Sequence, residues 1–279
     1  MIKKILVPTD FSEQAENALR VAADLAKKHN SEIYLLHMLE LPMQLVDGAS
    51  GGSKSDLPEA LFFMKLAHQK FENMMNAPFL EGITVHETAE FDGAFEGIMD
   101  YAKKYEIDLV VMGSHGTSGL QGLFIGSNTE KVVRHSEIPV LVIKKKHPGF
   151  DVNTFVYALD FKAENHNAFK QAIAFAKANN QTLHTLYVNT PGDFRTTRQV
   201  EDTMQQFMEE EKEPLEDYTL NIYNDSSIES GILHFAETVN AGLIGIGTHG
   251  RKGLAHFLNS SLSEGLVNHA QRPVITFKI

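Results

Sequence analysis

The chain has 279 residues, no Cys and no Trp, and its 25 Lys+Arg against 36 Asp+Glu leave a net charge of −11. Without thiols, disulfides, zinc–thiolate centres, iron–sulfur clusters and cysteine nucleophiles are excluded. The acidic balance argues against nucleic-acid partners, whose phosphates need clustered Lys and Arg; the longest basic run is Lys144-Lys145-Lys146.

In chain order, residues 2–8 read as a short β-branched strand stopped by Pro8, Thr9 and Asp10. This start lacks the apolar core and cleavage site of a signal peptide. No run approaches the about 20 apolar residues of a membrane span. The expectation is a cytoplasmic protein with no membrane partner. Ser12 stands where it can cap a helix in which Ala15, Leu19, Ala22, Ala23 and Ala26 recur at helical spacing. Residues 32–38 read as a second strand, and 39–56, with three Gly and three Ser, as a loop. A helix follows over 57–75, with Ser55 or Asp56 as cap and Pro58 in its first turn. Its stripe Leu57, Leu61, Met64, His68, Phe71 and Met75 steps by four and three, which reads as core or as a partner contact. Residues 82–90 form an alternating strand, 94–105 a helix, and 107–113 a near-continuous apolar strand of the kind buried on both faces. A helix over 127–136 and a strand over 139–144 complete the unit. The joint 146–151 is broken by Pro148-Gly149. The order then repeats, with strands near 153–159, 182–188, 216–223, 242–247 and 274–278.

The repetition is visible in the residues themselves. At an offset of 150, nine identities join 10–38 to 160–188, among them Asp10 with Asp160, Asn17-Ala18 with Asn167-Ala168 and Leu36 with Leu186. Ordinary residue usage gives about two by chance. Later the offset becomes 134, and Gly113, His115-Gly116, Ser127, Glu130, Val140 and Lys144 meet Gly247, His249-Gly250, Ser261, Glu264, Val274 and Lys278. Two homologous domains are expected, 1–146 and 152–279, the first with 16 extra residues between Met38 and Gly113.

Strands alternating with helices argue for an α/β fold with a parallel sheet covered on both sides. Such sheets bind ligands beyond the carboxyl ends of their strands. The residues after the strands are therefore the interesting ones: Asp10, Met38 and the loop after Met112. That loop, 113–126, is rich in glycine, which lets backbone approach a ligand closely. Gly126-Ser127-Asn128-Thr129 then opens a helix whose free N–H groups suit phosphate. No Gly-Lys-Ser/Thr follows, so this is not a P-loop, and no Gly-x-Gly-x-x-Gly follows the first strand.

With these elements in place, the sequence resembles the universal stress protein family. The resemblance rests on Ile5-Leu6-Val7-Pro8-Thr9-Asp10-Phe11-Ser12, Leu35-Leu36-His37-Met38, Asp108-Leu109-Val110-Val111-Met112-Gly113-Ser114-His115-Gly116 and Pro139-Val140-Leu141-Val142. The family's ATP signature is Gly, two residues, Gly, nine residues, then Gly-Ser/Thr. Gly113, Gly116, Gly126 and Ser127 satisfy it. The resemblance implies two Rossmann-like, HUP-type domains in tandem. Each would have five parallel strands of order 3-2-1-4-5 between helices. It also implies a last-strand pairing, either 139–144 against 273–278 as an intramolecular pseudo-dimer or between chains as a homodimer.

For the site, the resemblance implies that Pro8, Thr9 and Asp10 border the adenosine and that the Met38 backbone meets adenine. Met112, Gly113 and Gly116 would border ribose and phosphate, and Gly126, Ser127 and Asn128 would hold the phosphates. A divalent cation, Mg2+, would accompany the ATP, because no Lys/Arg cluster neutralises it. The second half departs from the pattern. Asp160, Gly247 and Gly250 are kept, but Val188 replaces Met38 and Ser260-Ser261 replaces Gly126-Ser127. Nucleotide there is the weaker expectation.

No catalytic constellation is evident. His115 and His249 read as loop residues bonding backbone, and His135 and His269 as helix-end cations. The function expected is an ATP-binding regulatory protein of the stress response, read by a protein partner. A slow ATPase or nucleotidyl-transfer enzyme of the same fold group, and a scaffold that no longer binds nucleotide, stay open beside it.

Overall fold

The computed structural model describes residues 2–39, 56–115, 126–147, 149–209, 218–248 and 260–279, without the side chains of 56–59 and 260–264. Its first strand, β1 (Lys4–Pro8), carries Ile5, Leu6 and Val7 fully buried, as expected of a strand covered on both faces. Helix α1 (Glu13–His29) starts where Ser12 Oγ accepts the Ala15 N–H at 3.2 Å and stops at Asn30, whose φ of 54° is left-handed. Its buried face is largely alanine, which brings the helix close to the sheet. β2 (Glu32–Leu39), α2 (Asp56–Met75), β3 (Val85–Phe91), α3 (Ala94–Lys104), β4 (Leu109–Gly113), α4 (Ser127–His135) and β5 (Val140–Ile143) follow. The second half repeats them as β6 (Thr154–Ala158), α5 (His166–Ala178), β7 (Thr182–Asn189), α6 (Thr197–Glu209), β8 (Tyr218–Asn224), α7 (Ile228–Thr238), β9 (Leu243–Thr248), α8 (Ser260–His269) and β10 (Val274–Lys278).

The strands form one ten-stranded sheet of order β3-β2-β1-β4-β5-β10-β9-β6-β7-β8. Each half is parallel with order 3-2-1-4-5 in its own numbering. The halves meet where β5 and β10 run antiparallel, with Val140 opposite Thr276, Leu141 opposite Ile275 and Val142 opposite Val274. At the offset of 134, Leu141 faces its own repeat mate and the flanking pairs exchange theirs. A local twofold therefore passes between Leu141 and Ile275. It emerges again between α1 and α5, where a His29 ring nitrogen lies 3.0 Å from Asn179 Oδ1 and the two residues are mates at the offset of 150. Lys28 Nζ donates to the Asn179 carbonyl at 2.7 Å, and the Phe150 N–H donates to Asp24 at 2.8 Å.

Side chains alternate between two cores, one on each face of the sheet. One contains Ile5, Val7, Leu141, Tyr157, Ile275 and Phe277, and the other Leu6, Val110, Val142, Val156 and Val274. Both cores cross the seam.

The helix at 57–75 corrects one expectation. Ala67 and Phe71 are buried, but Leu61 is 61% exposed and His68 lies outside, 3.8 Å from Glu87. Of the expected stripe, Met64, Phe71 and Met75 turn inward, and Ala67 and Met74 join them in place of Leu61 and His68. The physical reason is that α2 packs on the edge strand β3 with its C-terminal half, so its earlier turns overhang.

Candidate functional site

Parallel register brings the carboxyl ends of the central strands level. Pro8 pairs with Leu36, Leu6 with Val110 and Gly113 with Ile143, so Pro8 and Met112 stand side by side at the same rim. Beyond the ladder, the Thr9 N–H donates to the Leu36 carbonyl at 2.8 Å. Thr9 Oγ1 accepts the Phe11 N–H at 3.0 Å, and Asp10 Oδ1 accepts the Ser12 N–H at 3.0 Å at the mouth of α1. Phe11 takes a left-handed φ of 64°, costly for a residue with a side chain. Its ring is held 4.6 Å from His37 and 5.1 Å from Phe71. His37 Nδ1–H donates to the Thr9 carbonyl at 2.7 Å. Burial holds its pKa below the usual imidazole value, with the Thr9 carbonyl pulling the other way.

At the end of β4, glycine is required by space. A Cβ on Gly113 would sit 3.0 Å from the Gln14 backbone, so its absence lets the first turn of α1 close over the strand. The chain then returns to β4 at α4. The Gly126 N–H donates to the Ser114 carbonyl at 2.7 Å, and Thr129 Oγ1 donates to the Gly113 carbonyl at 2.9 Å. A Cβ on Gly126 would meet His115 Cα at 3.2 Å. The first in-helix bond of α4 is Glu130 N–H to Gly126 O, 2.9 Å, and Gly126 supplies no side-chain cap. Within the helix the N–H groups of Ser127, Asn128 and Thr129 therefore have no backbone acceptor among the described residues, and the positive end of the helix dipole lies behind them.

Pro8, Thr9, Asp10, Met38, Met112, Gly113, Gly126, Ser127 and Asn128 accordingly share one end of the sheet; Gly116 lies outside the described residues. Asp108, in the same motif as Gly113, is at the opposite end, where Oδ2 accepts the Lys3 and Lys4 N–H groups at 2.7 and 2.9 Å. Among the described residues no group of three or more His, Asp or Glu is placed to hold a metal.

Two features escaped sequence reasoning. Gly97 in α3 faces Met38, whose Cε would be 2.2 Å from a Cβ there, and Gly231 in α7 faces Val188 in the same way at 2.4 Å. The signal was available, since 97 and 231 differ by the offset of 134. His37 stands inside the motif Leu35-Leu36-His37-Met38, but nothing along the chain marks it as buried and bonded to Thr9.

The second half builds the same rim with different contents. Leu159 N–H donates to Leu186 at 3.1 Å and Phe161 has a φ of 55°, matching Thr9 and Phe11. Asp160, however, is engaged by residues that its mate lacks. Its Oδ1 accepts from Asn165 Nδ2 at 2.6 Å and its Oδ2 lies 2.8 Å from the Lys162 ammonium; the corresponding positions in the first half are Ser12 and Ala15. The Gly247 site is crowded by Ile279, 2.7 Å from a would-be Cβ. Asp160, Leu186, Val188, Asp193, Ile232 and Gly247 border a cleft of only about 60 Å3, where ligand pockets usually have about 300 Å3 or more. His249 and Gly250 lie outside the described residues, and Ser260 and Ser261 are described only as the backbone start of α8.

His135 and His269 stand in the last turns of α4 and α8, as expected, and His115 differs. His115 Nδ1 meets the Ser114 hydroxyl at 3.0 Å rather than backbone. His269 pairs with Glu229 at 2.5 Å, and His135 packs on Phe95 at 5.6 Å between centroids.

The model of the universal stress protein family matches residues 1–144 and again 152–278. Universal stress protein MJ0577 of Methanocaldococcus jannaschii is 34% identical over 160 residues, which cover 53% of this chain and 98% of that protein. Universal stress protein MJ0531 of the same organism is 30% identical over 152 residues, covering 52% of this chain and 84% of that one. A universal stress protein structure from Archaeoglobus fulgidus has the same fold along 99% of this chain and 98% of its own, with a TM-score of 0.69 at 23% identity.

Proposed function

Since the chain belongs to the universal stress protein family in both of its halves, we propose that it is a cytoplasmic ATP-binding regulator of the stress response, with nucleotide held mainly in the first half. The observation that carries this reading is the clamp at the end of β4. Gly126 N–H on Ser114 and Thr129 Oγ1 on Gly113 hold the N-terminus of α4 at the carboxyl end of β4, the strand beside β1 and Pro8. Such a site takes anionic oxygen by backbone donors, so a net charge of −11 does not oppose it.

In this reading Thr9 and Asp10 border the adenosine, and the Met38 backbone meets adenine. Gly113 and Gly116 let backbone approach ribose and phosphate, and Gly126, Ser127 and Asn128 hold the phosphates. Mg2+ would be held through phosphate oxygens and water, which is its ordinary mode at nucleotide sites. The chain's own part is to bind and orient; a partner reads the bound state. The second cleft, narrow and with Asp160 already engaged, serves the fold.

The test is the thermal midpoint of nucleotide-stripped protein with and without ATP and Mg2+. At 100 times the dissociation constant, ATP stabilises by about 2.7 kcal/mol. Gly113→Val and Gly126→Val, which push a side chain into Gln14 and His115, are expected to abolish the shift, and native mass spectrometry to find one ATP per chain. No shift together with no retained nucleotide overturns the proposal. ATP turnover well above buffer, lost in Asp10→Asn, would instead make the protein an enzyme.

A further inference from the structure

The two ends of the sheet are unlike. β3 carries His86, Glu87 and Glu90, and such charges on an edge strand discourage pairing with another chain. β8, Tyr-Thr-Leu-Asn-Ile-Tyr-Asn, carries no charge over seven residues. Its one sheet neighbour among the described residues is β7. Every second residue of such an edge turns its N–H and C=O outward, a ready template for another strand.

Beside this edge lies a cleft of about 530 Å3 between β8 and α6. Its floor is Leu220 and Ile222 with Met204 and Met208, and Leu220 is 41% exposed. Its outer wall is built by α6. Glu201, Gln205 and Glu209 follow one another at four-residue steps, which places them on one stripe of the helix. Gln205 Nε2 donates to Glu209 Oε1 at 2.8 Å, and the stripe faces the cleft with carboxylates. Three chemistries thus lie side by side: open strand backbone of about 20 Å, a methionine-rich apolar floor and an acidic wall of about 12 Å.

We propose that the β8–α6 cleft docks an extended peptide of a partner protein, in which apolar residues and Lys or Arg take turns at every second position and so share the face toward α6. The peptide would add an eleventh strand to the sheet. On the face toward α6, its apolar side chains would enter against Met204, Met208 and Leu220, and its basic side chains, two and four residues along, would meet Glu201 and Glu209. Methionine suits such a floor, because its flexible thioether adapts to different apolar side chains. A second copy of this chain is the poorer occupant, since pairing β8 with β8 would bring two acidic walls together on molecules of net charge −11. A nucleic acid is repelled by the same wall. The proposal does not depend on nucleotide binding.

The probe is an eight-residue peptide, Thr-Val-Thr-Lys-Thr-Val-Thr-Lys, which sets Val and Lys on one face; it carries an N-terminal fluorescein and a C-terminal amide and is titrated against the full chain by fluorescence anisotropy. Saturable binding is expected, with protection of the 218–224 amides from hydrogen exchange. N-methylation of alternate backbone nitrogens, or replacing Val by Ser, is expected to abolish it. The double variant Glu201→Gln, Glu209→Gln is expected to weaken binding at least fivefold at an unchanged thermal midpoint. Equal binding of octalysine, no protection within 218–224, or equal affinity in the double variant would each overturn the proposal. So would a dimer that Leu220→Lys dissociates, which would give the edge to a second copy.

Discussion

Asp10 and Asp160 are the same residue at the same turn, and their neighbours decide what each does. Asp10 takes an N–H at the mouth of α1, whereas Asp160 is drawn into side-chain contacts with Lys162 and Asn165. The offset of 150 locates both aspartates in the sequence, but the reach of Asn165 across one turn of chain is a fact of three dimensions. His37 is a second case. It was not singled out because only burial makes it matter. Since its folded pKa is depressed, the unfolded chain takes up the proton first. Stability contributed by neutral His37 is therefore complete above the ordinary value of 6.5 and is lost as pH falls below it. The thermal midpoint is expected to drop as pH falls below about 6.5. In His37→Asn, whose amide keeps a donor for the Thr9 carbonyl without titrating, the drop should be smaller. Some slope should remain, because burial also depresses His147 and His184. An identical pH profile in wild type and variant would refute the assignment.

Among the elements, α2 shows the limit of periodicity. It carries two overlapping apolar stripes, one through Leu61 and one through Ala67, and the pattern of four and three permits both. Contact with β3 selects the second. The closing strands and helices of the two halves show what periodicity omits altogether. Lys144, just past β5, donates to the carbonyl of Asn268 in the last turn of α8, a favourable place for a cation. Burial, helped by Lys145, lowers its pKa from 10.5 to about 8. The folded state therefore loses this proton before the unfolded chain does, and the burden of the buried charge is relieved as pH rises from about 8 to 10.5. Over that window the wild type is expected to gain stability relative to Lys144→Met, measured by urea unfolding at each pH. A constant difference would show that Lys144 keeps an ordinary pKa.

For the whole molecule, the seam between β5 and β10 makes ten strands one sheet and lets both cores run through it. Ile275 is fully buried at the twofold. Ile275→Ala is expected to cost about 2–5 kcal/mol, because truncation leaves a cavity that neighbours on two halves cannot both fill. Urea unfolding should move to lower concentration as a single transition in the wild type; two separate transitions there would show that the halves fold independently. By itself the sequence determined the repeat, the α/β class, the order of elements and the positions of Asp10, Met38, Gly113 and Gly126. These follow from local propensity, spacing and self-similarity, all of which are written along the chain. The tertiary structure alone decided which stripe of α2 faces inward, that Gly97 and Gly231 make room for Met38 and Val188, that Asp160 is engaged by Lys162 and Asn165, and that β8 is left as an uncharged edge. Each of those depends on which atoms meet in three dimensions, across one turn of chain for Asp160 and across tens of residues for the rest, and that is fixed by packing rather than by periodicity.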